Sequence, residues 1–389
     1  MKKLIKQLFP SGKRELLGNC LHLTAAHKWM PSVSHYSGLA VYNYHRVGNP
    51  DQCQQNPALI SATQENFEQQ VRLLKQTSDV IRIDDLKDVL NSSRGRYSLI
   101  TFDDGYEDNY SLAFPVLKQA GVSATFFLTS GFLDRKATAW WDDIYLMFKY
   151  TGRQDWNSLT DLVAGDMPHD VPQYSREQIA DLMIRYYWSL PQEQANTFLE
   201  QLSQFTGVFP QKASPGTQWM TWDMARLMRD GGMDFGAHTV SHPILTRINK
   251  DQLASEIQKS KSRIETELNL SIRTLSYPVG LMDCFNDQVI ETLQANGIDF
   301  GFSFYGGTQP LGEYNSYDIP RMGVSPDINL KLFQAIVTLP NLFLRPKPPV
   351  LQVTTGQLPA SILNANHDQE NGDATSLLPA DECEALHSV

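Results

Sequence analysis

The chain has 389 residues, of which 41% are hydrophobic and 20% charged, and this is typical of a globular protein long enough for one large α/β domain or two ordinary ones. Its formal net charge of -10 argues against a surface built to bind nucleic-acid phosphates. No apolar run reaches about 18 residues, so the sequence predicts no transmembrane helix.

The N-terminal segment is basic, and the four cysteines are scattered. No apolar region with a small-residue cleavage site follows the basic residues, so we predict no secretory signal and a cytoplasmic protein. The segment favours a solvated helix, predicted over 14–29, and contact with an anionic membrane surface is the alternative. The cysteines show neither C-x-x-C spacing nor the density of a disulfide scaffold, which indicates free thiols at Cys20, Cys53, Cys284 and Cys383.

Strands and helices alternate from residue 38 onwards. Apolar runs predict the strands, and apolar residues at helical spacing predict the helices. The first helix of this part of the chain begins near residue 63, with Thr63 or Ser61 as its N-cap. The other elements of this first part are strands over 38–44, 80–83, 97–102 and 122–129 and helices over 84–90 and 108–119.

The alternation is interrupted over about 134–218, a stretch that we interpret as a helical insertion. It contains the pair Trp140 and Trp141. After it, the order resumes with helices over 222–229, 250–268 and 286–295 and strands over 233–238, 274–277 and 300–304. Repeated βα units predict a parallel sheet, open or closed into a barrel. The predicted division is a lead-in at 1–37, one domain at 38–345 and a disordered tail at 346–389.

Two adjacent carboxylates follow the predicted strand that ends at Phe102. Asp103 and Asp104 would repel each other at the end of a buried strand unless a cation, a shared proton or several donors offset the repulsion. A metal is the simplest such cation. The alternative is that one of the aspartates caps the helix that follows, which is common for Asp in this position. This stretch alone leaves both interpretations open.

His238 and His242 follow another apolar strand of the predicted sheet. The H-x-x-x-H spacing can bring two imidazoles to one metal across a turn, and one carboxylate would complete a set of three ligands with positions left for water and substrate. A histidine pair at this spacing more often has a structural or surface role. Both stretches, however, lie at the carboxyl ends of strands, where α/β barrels and open sheets assemble their sites.

Three short stretches together resemble a known family. Residues 101–105 resemble its T-F-D-D-G motif, residues 238–242 resemble its H-[ST]-x-x-H motif, and residues 276–280 lie where it has a third motif, usually R-x-P-[FY]-G. This family is the polysaccharide deacetylases, also known as the NodB-homology domain and carbohydrate esterase family four. The resemblance covers roughly residues 38–343 and implies a distorted (β/α) barrel.

The resemblance also implies which residues carry the chemistry. By position, Asp104, His238 and His242 would hold a divalent metal, which we expect to be zinc, with cobalt or nickel as alternatives. Asp103 would be the general base, because a carboxylate next to the metal can take a proton from the metal-bound water as that water attacks an amide.

The sequence departs from the family pattern at two points. Ser276 stands where the third motif usually has the arginine that orients the base, and Arg321, expected just before a helix, is our candidate to replace it. The late L-x-H histidine, which protonates the leaving amine, has no counterpart before the predicted tail. His45 belongs to a Tyr-His element that resembles deacetylases acting on secreted exopolysaccharides, and it is our candidate for the leaving-group acid or for a partner of Asp103. The alternatives are that Arg321 is an ordinary surface residue and that His45 has a structural role.

Three further residues are assigned to substrate binding. Tyr277 and Pro278 lie in the stretch that resembles the third motif, and Trp141 could offer an aromatic face to a sugar ring. For the tryptophan pair, packing of the insertion onto the barrel is the alternative.

The sequence therefore predicts a metal-dependent hydrolase that removes N-acetyl groups from an amino-sugar polysaccharide or its precursor, in bacterial surface or extracellular polysaccharide synthesis. Its partner would be an N-acetylated glycan. The missing arginine and late histidine motivate a second hypothesis, a glycan-binding or scaffold module that has lost turnover. A third hypothesis is a C–N hydrolase that acts on another acyl group.

Overall fold

A computed structural model describes five segments of the chain, residues 36–156, 158–159, 162–163, 174–210 and 218–340. The predicted helix at 14–29 and the predicted tail at 346–389 lie outside these segments, as does almost all of the predicted lead-in. Cys53 and Cys284 are described, and both are free thiols as predicted. Within the described segments, no helix combines the length and apolar character that crossing a bilayer requires.

The strands of the described segments are numbered in chain order. They are β1 (Gly38–Tyr44), β2 (Arg46–Val47), β3 (Ile60–Ala62), β4 (Asp79–Val80), β5 (Arg96–Phe102), β6 (Thr125–Leu128), β7 (Asp234–Ala237), β8 (Thr274–Ser276), β9 (Phe300–Phe302) and β10 (Arg321–Gly323).

Eight of these strands form one parallel sheet that nearly closes on itself. Their spatial order is β10-β1-β5-β6-β7-β8-β9, and β4 pairs with the beginning of β5. A parallel bridge between Phe302 and Ile319 joins β9 to the residues just before β10. The remaining strands, β2 and β3, pair with each other. The architecture confirms the predicted distorted (β/α) barrel.

The α-helices of the described segments are also numbered in chain order. They are α1 (Gln64–Thr77), α2 (Leu86–Leu90), α3 (Phe114–Ala120), α4 (Ser130–Leu133), α5 (Trp140–Tyr150), α6 (Arg176–Ser189), α7 (Gln192–Thr206), α8 (Trp222–Asp230), α9 (Lys250–Leu268), α10 (Asp287–Ala295) and α11 (Leu330–Thr338).

Burial on both faces explains why the central strands read as continuous apolar runs. Every residue of β1 is buried, as is the second half of β5, because helices cover the outer face of the nearly closed sheet and side chains of the other strands fill its interior. Helix α9 shows the complementary pattern, in which Leu253, Ile257 and Ile264 are buried on one face. It begins after Asn249, whose side chain accepts a hydrogen bond from the Gln252 N–H. The bounds of α9 match the predicted helix.

Two predicted elements and the predicted position of Arg321 differ in kind from the structure. The predicted helix over 108–119 starts with a π-helical turn at Asn109–Ala113 and becomes α-helical only with α3, whose first turn contains a proline. The predicted strand over 80–83 is reduced to β4, because a 3-10 turn follows at Ile83–Asp85. Arg321, expected just before a helix, is instead the first residue of β10, a strand of three residues that is too short to show an alternating pattern.

The described part of 134–218 consists mainly of helices and has a hydrophobic cluster of its own. This cluster includes Trp140 and Trp141 from α5 and also Tyr106, from the loop after β5. Val279, from the loop after β8, packs against it. The helices between β6 and β7 therefore pack against loops at the carboxyl ends of the barrel strands.

Candidate metal and catalytic site

The candidate site lies at the carboxyl ends of β5, β7 and β8. The chain leaves these strands through residues with left-handed backbone angles, and φ is +74° at Asp104, +65° at Thr239, +59° at His242 and +63° at Val279. Residues other than glycine rarely adopt this region, and a branched side chain such as valine is strained there. Such strain persists only where the surrounding structure holds it, so its concentration at three strand ends indicates a functional site.

Asp104, His238 and His242 come together at this edge. Asp104 Oδ1 lies 3.5 Å from His238 Nε2 and 3.6 Å from His242 Nε2. All three side chains are buried, and their ligand atoms lie within 4.8 Å of one another. Asp104 Oδ1 has no hydrogen-bond partner among the described residues. A buried carboxylate oxygen without a donor, next to two imidazole nitrogens, fits a divalent metal such as zinc.

The main chain orients the ring of His238. Its Nδ1 lies 2.7 Å from the carbonyl oxygen of Ser276, and because that oxygen can only accept, Nδ1 is the donor. Nε2 of the neutral ring therefore presents a lone pair on the side of Asp104. Burial lowers the pKa of His238, but the carboxylates of Asp103 and Asp104 outweigh this effect and hold the pKa above its ordinary value.

The other two residues of the cluster have the charge states that a metal requires. Burial and the neighbouring His238 lower the pKa of His242 to about 3, so its ring is neutral at neutral pH. Burial opposes ionisation of Asp104, but the two histidines outweigh it and lower the pKa of this carboxyl. Asp104 is therefore a carboxylate and His242 a neutral imidazole, as metal binding requires.

Two residues from other strands hold Asp103. Its Oδ1 accepts a hydrogen bond from Arg321 Nη1 at 2.8 Å, and its Oδ2 accepts one from Asn43 Nδ2 at 3.1 Å. Burial would raise the pKa of Asp103, but the positive charges of Arg321 and His238 outweigh it and hold the pKa well below its usual range. The carboxylate is therefore ionised and fixed in orientation, with lone pairs left to accept a proton.

The guanidinium of Arg321 is fully buried and donates to several acceptors. Nε donates to the Ser303 carbonyl oxygen at 3.0 Å, Nη1 donates to Asn43 Oδ1 at 2.6 Å, and Nη2 donates to Ser276 Oγ at 2.8 Å. Ser276, which stands in place of the third-motif arginine, therefore binds a guanidinium that comes from β10. The structure therefore brings Arg321 to Asp103.

His45 follows the last residue of β1 at the same edge of the barrel. Its backbone N–H donates to Ser61 Oγ at 3.0 Å, and its ring meets Phe304 edge-on with a centroid distance of 5.5 Å. The residue is half-buried, and its charge would lower the pKa of both Asp103 and Asp104. Because β1 pairs with β5 in parallel register, His45 lies at the edge of the sheet where Asp103 and Asp104 follow β5.

The end of β6 connects the two loops that carry the candidate ligands. The Thr129 N–H donates to the Asp104 carbonyl oxygen at 3.3 Å, and the Gly131 N–H donates to the Val240 carbonyl oxygen at 2.9 Å. A Cβ at position 131 would lie 2.4 Å from the Val240 oxygen, so only glycine allows this close approach. The loops after β5 and β7 are therefore held by one segment.

Helix α9 fixes the turn between the two histidines. Glu256 Oε2 accepts the backbone N–H groups of Val240 at 2.7 Å and Ser241 at 3.0 Å, and Oε1 accepts the Ser241 hydroxyl at 2.7 Å. The His242 N–H donates to Thr239 Oγ1 at 3.0 Å. A carboxylate from outside the motif therefore sets the position of the second histidine relative to the first.

The three residues assigned to substrate binding are buried. The Tyr277 hydroxyl donates to the Tyr317 carbonyl oxygen at 2.9 Å, and its ring stacks on Phe285. Pro278 is buried, and Trp141 is 6% exposed. These placements favour packing roles for the side chains, and substrate binding by them stays a prediction.

Sequence reasoning missed Asn43 and Glu256. Asn43 interrupts the apolar run of β1, and a polar residue in a buried strand is a signal that it has a specific partner. Glu256 lies among the polar residues of α9, and no local pattern distinguishes it from residues that face the solvent. Its contact with the turn depends on how the helix packs against the barrel.

Comparison with known proteins finds a matching family. The family profile described as polysaccharide deacetylase matches residues 91–183 and 184–301, which is more than half of the chain. The chain is 22% identical over 239 residues to YxkH of Bacillus subtilis (strain 168), which is itself named as a candidate polysaccharide deacetylase. The alignment covers 61% of this chain and 55% of YxkH, so it spans about half the length of that relative.

Solved structures of similar fold also exist. The deacetylase PplD of Streptococcus pyogenes, in complex with acetate, has a TM-score of 0.50 at 15% identity, covering 77% of this chain and 97% of PplD. IcaB of Ammonifex degensii has a TM-score of 0.49 at 18% identity, covering 78% of this chain and 98% of IcaB. The likeness to PplD supports the barrel fold and, at this identity, the fold alone.

Proposed function

Because the chain belongs to the polysaccharide deacetylase family, we propose that it is a metal-dependent hydrolase that removes N-acetyl groups from an amino-sugar polysaccharide or its precursor. The observation that carries this proposal is the buried cluster of Asp104, His238 and His242 beside the ionised Asp103. Family membership supports de-N-acetylation of a polysaccharide. The metal and the roles of the residues, which the motif resemblance implies, are part of the proposal.

Asp104, His238 and His242 would hold the metal. One carboxylate and two imidazoles suit zinc, and cobalt or nickel could replace it. When bound, the metal would polarise the amide carbonyl and lower the pKa of water. The unpartnered Asp104 Oδ1 and the fixed tautomer of His238 support this assignment.

Asp103 is the proposed general base. It would accept a proton from the attacking water while the water oxygen forms its bond to the carbonyl carbon. Arg321 and Asn43 each bind one oxygen of the carboxylate, so the base cannot rotate away from the site. The low pKa of Asp103 keeps the base ionised throughout the neutral pH range.

His45 is the proposed leaving-group acid. When the C–N bond breaks, the departing amine takes up a proton, and a half-buried histidine beside the paired aspartates could supply it. Its ring contact with Phe304 would hold it at the edge of the barrel.

Acetate release from N-acetylated chito-oligomers or an N-acetylated exopolysaccharide, with added zinc or cobalt, tests the proposed function. Asp104→Ala and His238→Ala should abolish metal binding and acetate release. Asp223→Ala changes an exposed carboxylate on α8 and should leave both unchanged. Full activity of the metal-depleted protein would contradict the mechanism.

One observation favours a second function. Beyond His242, the only histidines in the sequence are His367 and His387, which lie outside the described residues, so no counterpart of the late family histidine is evident. A glycan-binding or scaffold module would need no leaving-group acid, but it would also have no need for Asp103. Binding of the acetylated glycan without acetate release in the presence of zinc would support this function.

The domain division and the location are proposals as well. We propose a catalytic domain at 38–345 with a helical insertion at about 134–218, and limited proteolysis would test these boundaries. A cytoplasmic location stays a prediction, with peripheral membrane contact through the basic N-terminal segment as the alternative, and cell fractionation would test it.

A further inference from the structure

Aromatic side chains that follow β6 surround His242. The indole of Trp141 lies 4.5 Å from the imidazole, centroid to centroid, and the two ring planes are inclined by 66°. The ring of Phe132, from α4, stacks at 6.5 Å, and Trp140 Nε1 donates to the His242 carbonyl oxygen at 3.4 Å. Helix α5 of the insertion therefore contacts both the ring and the backbone of this proposed ligand.

The two histidines of the site are oriented in different ways. His238 donates its Nδ1–H to the Ser276 carbonyl oxygen, whereas His242 Nδ1 is buried and has no hydrogen-bond partner within the described segments. A histidine that binds a metal is usually fixed by a hydrogen bond from its other ring nitrogen. In the absence of such a bond, ring packing has to fix the orientation of His242.

We propose that Trp141 is a positioning residue for His242 and that the helical insertion is thereby part of the metal site, an inference that rests on the proposed function. The edge-to-face contact restrains the imidazole, so that its Nε2 stays on the side of Asp104. Trp141 is 6% exposed, so little of the indole is left to contact a sugar.

Trp141 is also bound to the loop that carries Asp104. Its Nε1–H donates to the Tyr106 hydroxyl oxygen at 2.9 Å, and Tyr106 follows Asp104 by two residues. The Tyr106 hydroxyl donates in turn to Asp142 at 3.3 Å, and Asp142 accepts the Asn56 N–H at 3.2 Å. One indole thus contacts the second histidine while its N–H is bound next to the aspartate, so it links two ligands that come from different loops.

The zinc affinity of Trp141→Leu, compared with that of Trp156→Leu, tests the positioning role. Trp156 is buried in the same cluster and contacts Phe148 and Phe205, with ring centroids 5.6 Å and 6.5 Å away. Both variants should lose thermal stability to a similar extent. Loss of support around a metal ligand weakens binding about 10- to 100-fold, so Trp141→Leu should bind zinc at least about 10-fold more weakly, and Trp156→Leu should stay within about twofold of the wild type. Equal zinc affinities in the two variants would overturn the proposal.

A measurement on the wild-type protein decides the question if Trp141→Leu does not fold. Nuclear Overhauser contacts between the His242 ring protons and the Trp141 indole protons should be present in the full chain both without and with zinc. Their loss on addition of zinc would overturn the proposal, because the indole would then not hold the ligand in its bound state.

His242→Ala separates this inference from the proposed function. If His242→Ala binds zinc as tightly as the wild type, the proposed metal site itself fails. If His242→Ala loses zinc binding while Trp141→Leu retains wild-type affinity, only the positioning role of Trp141 fails.

Discussion

Replacing Arg321 with methionine should leave Asp103 as a buried carboxylate without its cation. Arg321 is 0% exposed, and methionine would fill much of the space of its aliphatic stem while removing the guanidinium. The substitution removes the 2.8 Å ion pair with Asp103 and the hydrogen bonds to Asn43, Ser276 and Ser303. Of the two side-chain hydrogen bonds that Asp103 accepts, only the one from the neutral Asn43 amide at 3.1 Å would remain.

The expected cost follows from the burial of this pair. Removing one partner of a buried ion pair costs about 3–5 kcal/mol. Burial favours the neutral acid, so without Arg321 the pKa of Asp103 should rise above its ordinary value.

The sign of the pH dependence follows from this change. In the wild type, the lowered pKa of Asp103 stabilises the fold above the unfolded-state pKa of about 4, and this stabilisation is lost as the pH falls through the folded-state pKa. In the variant, the pKa of Asp103 is raised in the folded state, so the fold loses stability as the pH rises above the pKa that Asp103 has in the unfolded chain. The difference in free energy of unfolding between the two proteins should therefore widen as the pH rises from about 4 to 7.

Urea unfolding over this pH range and the pH profile of acetate release provide the two measurements. Because the base must be ionised, the acid limb of kcat/KM should move to higher pH in Arg321→Met. The control is Arg72→Met, which removes an exposed ion pair with Glu68 on α1 and should change the stability by less than about 1 kcal/mol. Two results together would refute this prediction. The acid limb of kcat/KM in Arg321→Met would match that of the wild type, and the difference in free energy of unfolding between the two proteins would not vary with pH.

The double exchange Ser276→Arg with Arg321→Ser tests whether Asp103 needs only a guanidinium beside it or needs one that comes from β10. Ser276 Oγ lies 2.8 Å from Arg321 Nη2, so a side chain extended from position 276 would enter the space that the guanidinium leaves. The exchange should recover part of the activity that Arg321→Ser loses. If it recovers nothing, support for Asp103 depends on β10 itself.

Three further predictions concern residues around this centre. Glu256→Ala should lower the free energy of unfolding by about 1–3 kcal/mol and weaken zinc binding, because it removes the acceptor of the backbone N–H groups of Val240 and Ser241 and of the Ser241 hydroxyl. A free energy of unfolding in urea and a zinc affinity that both match the wild type would contradict this prediction. Burial raises the pKa of Asp142 to about 7, so the wild type should lose up to about 1.4 kcal/mol of stability per pH unit between about pH 4 and 7 as the unfolded chain ionises first. Asp142→Asn should not show this loss, and a stability difference from the wild type that is constant with pH would contradict the reasoning. His45→Ala should lose only the alkaline limb of the pH profile of acetate release if His45 is the leaving-group acid, and an unaltered profile would return His45 to a structural role.

The position of the candidate ligands was predictable because each strand ends where an apolar run meets polar residues. β5 ends just before Asp103, and β7 ends just before His238. In a parallel sheet these ends share one edge, so the approach of Asp104 to the histidines follows from the pattern and the topology together. The family resemblance then indicated which carboxylate would bind and which would act as a base.

The support of Asp103 was only partly predictable because it depends on strand register. β1 lies between β10 and β5, with Val41 opposite Arg321 and Asn43 opposite Thr101. This register brings Asn43 into contact with both Asp103 and Arg321, and a strand as short as β10 carries no periodicity from which its neighbour could be inferred.

The contact between the insertion and His242 was not predictable for a similar reason. Trp141 and Phe132 come from separate helices, and the tryptophan pair alone is compatible with either a sugar cleft or a packed interface. Only the three-dimensional packing shows that the indole contacts the imidazole and that its N–H is bound to Tyr106.

The arginine missing from the third motif is replaced in space rather than lost. Side chains from the carboxyl ends of several barrel strands converge on one place, so β10 can supply the cation for Asp103 provided that the residue on β8 is small. Ser276 meets this requirement, since its hydroxyl binds Arg321 and its carbonyl oxygen orients His238. If Arg321 acts on Asp103 as proposed, the missing motif arginine gives no support to a module without turnover. That alternative now depends on the leaving-group acid, for which the candidate is His45, at the end of the strand that pairs with β5.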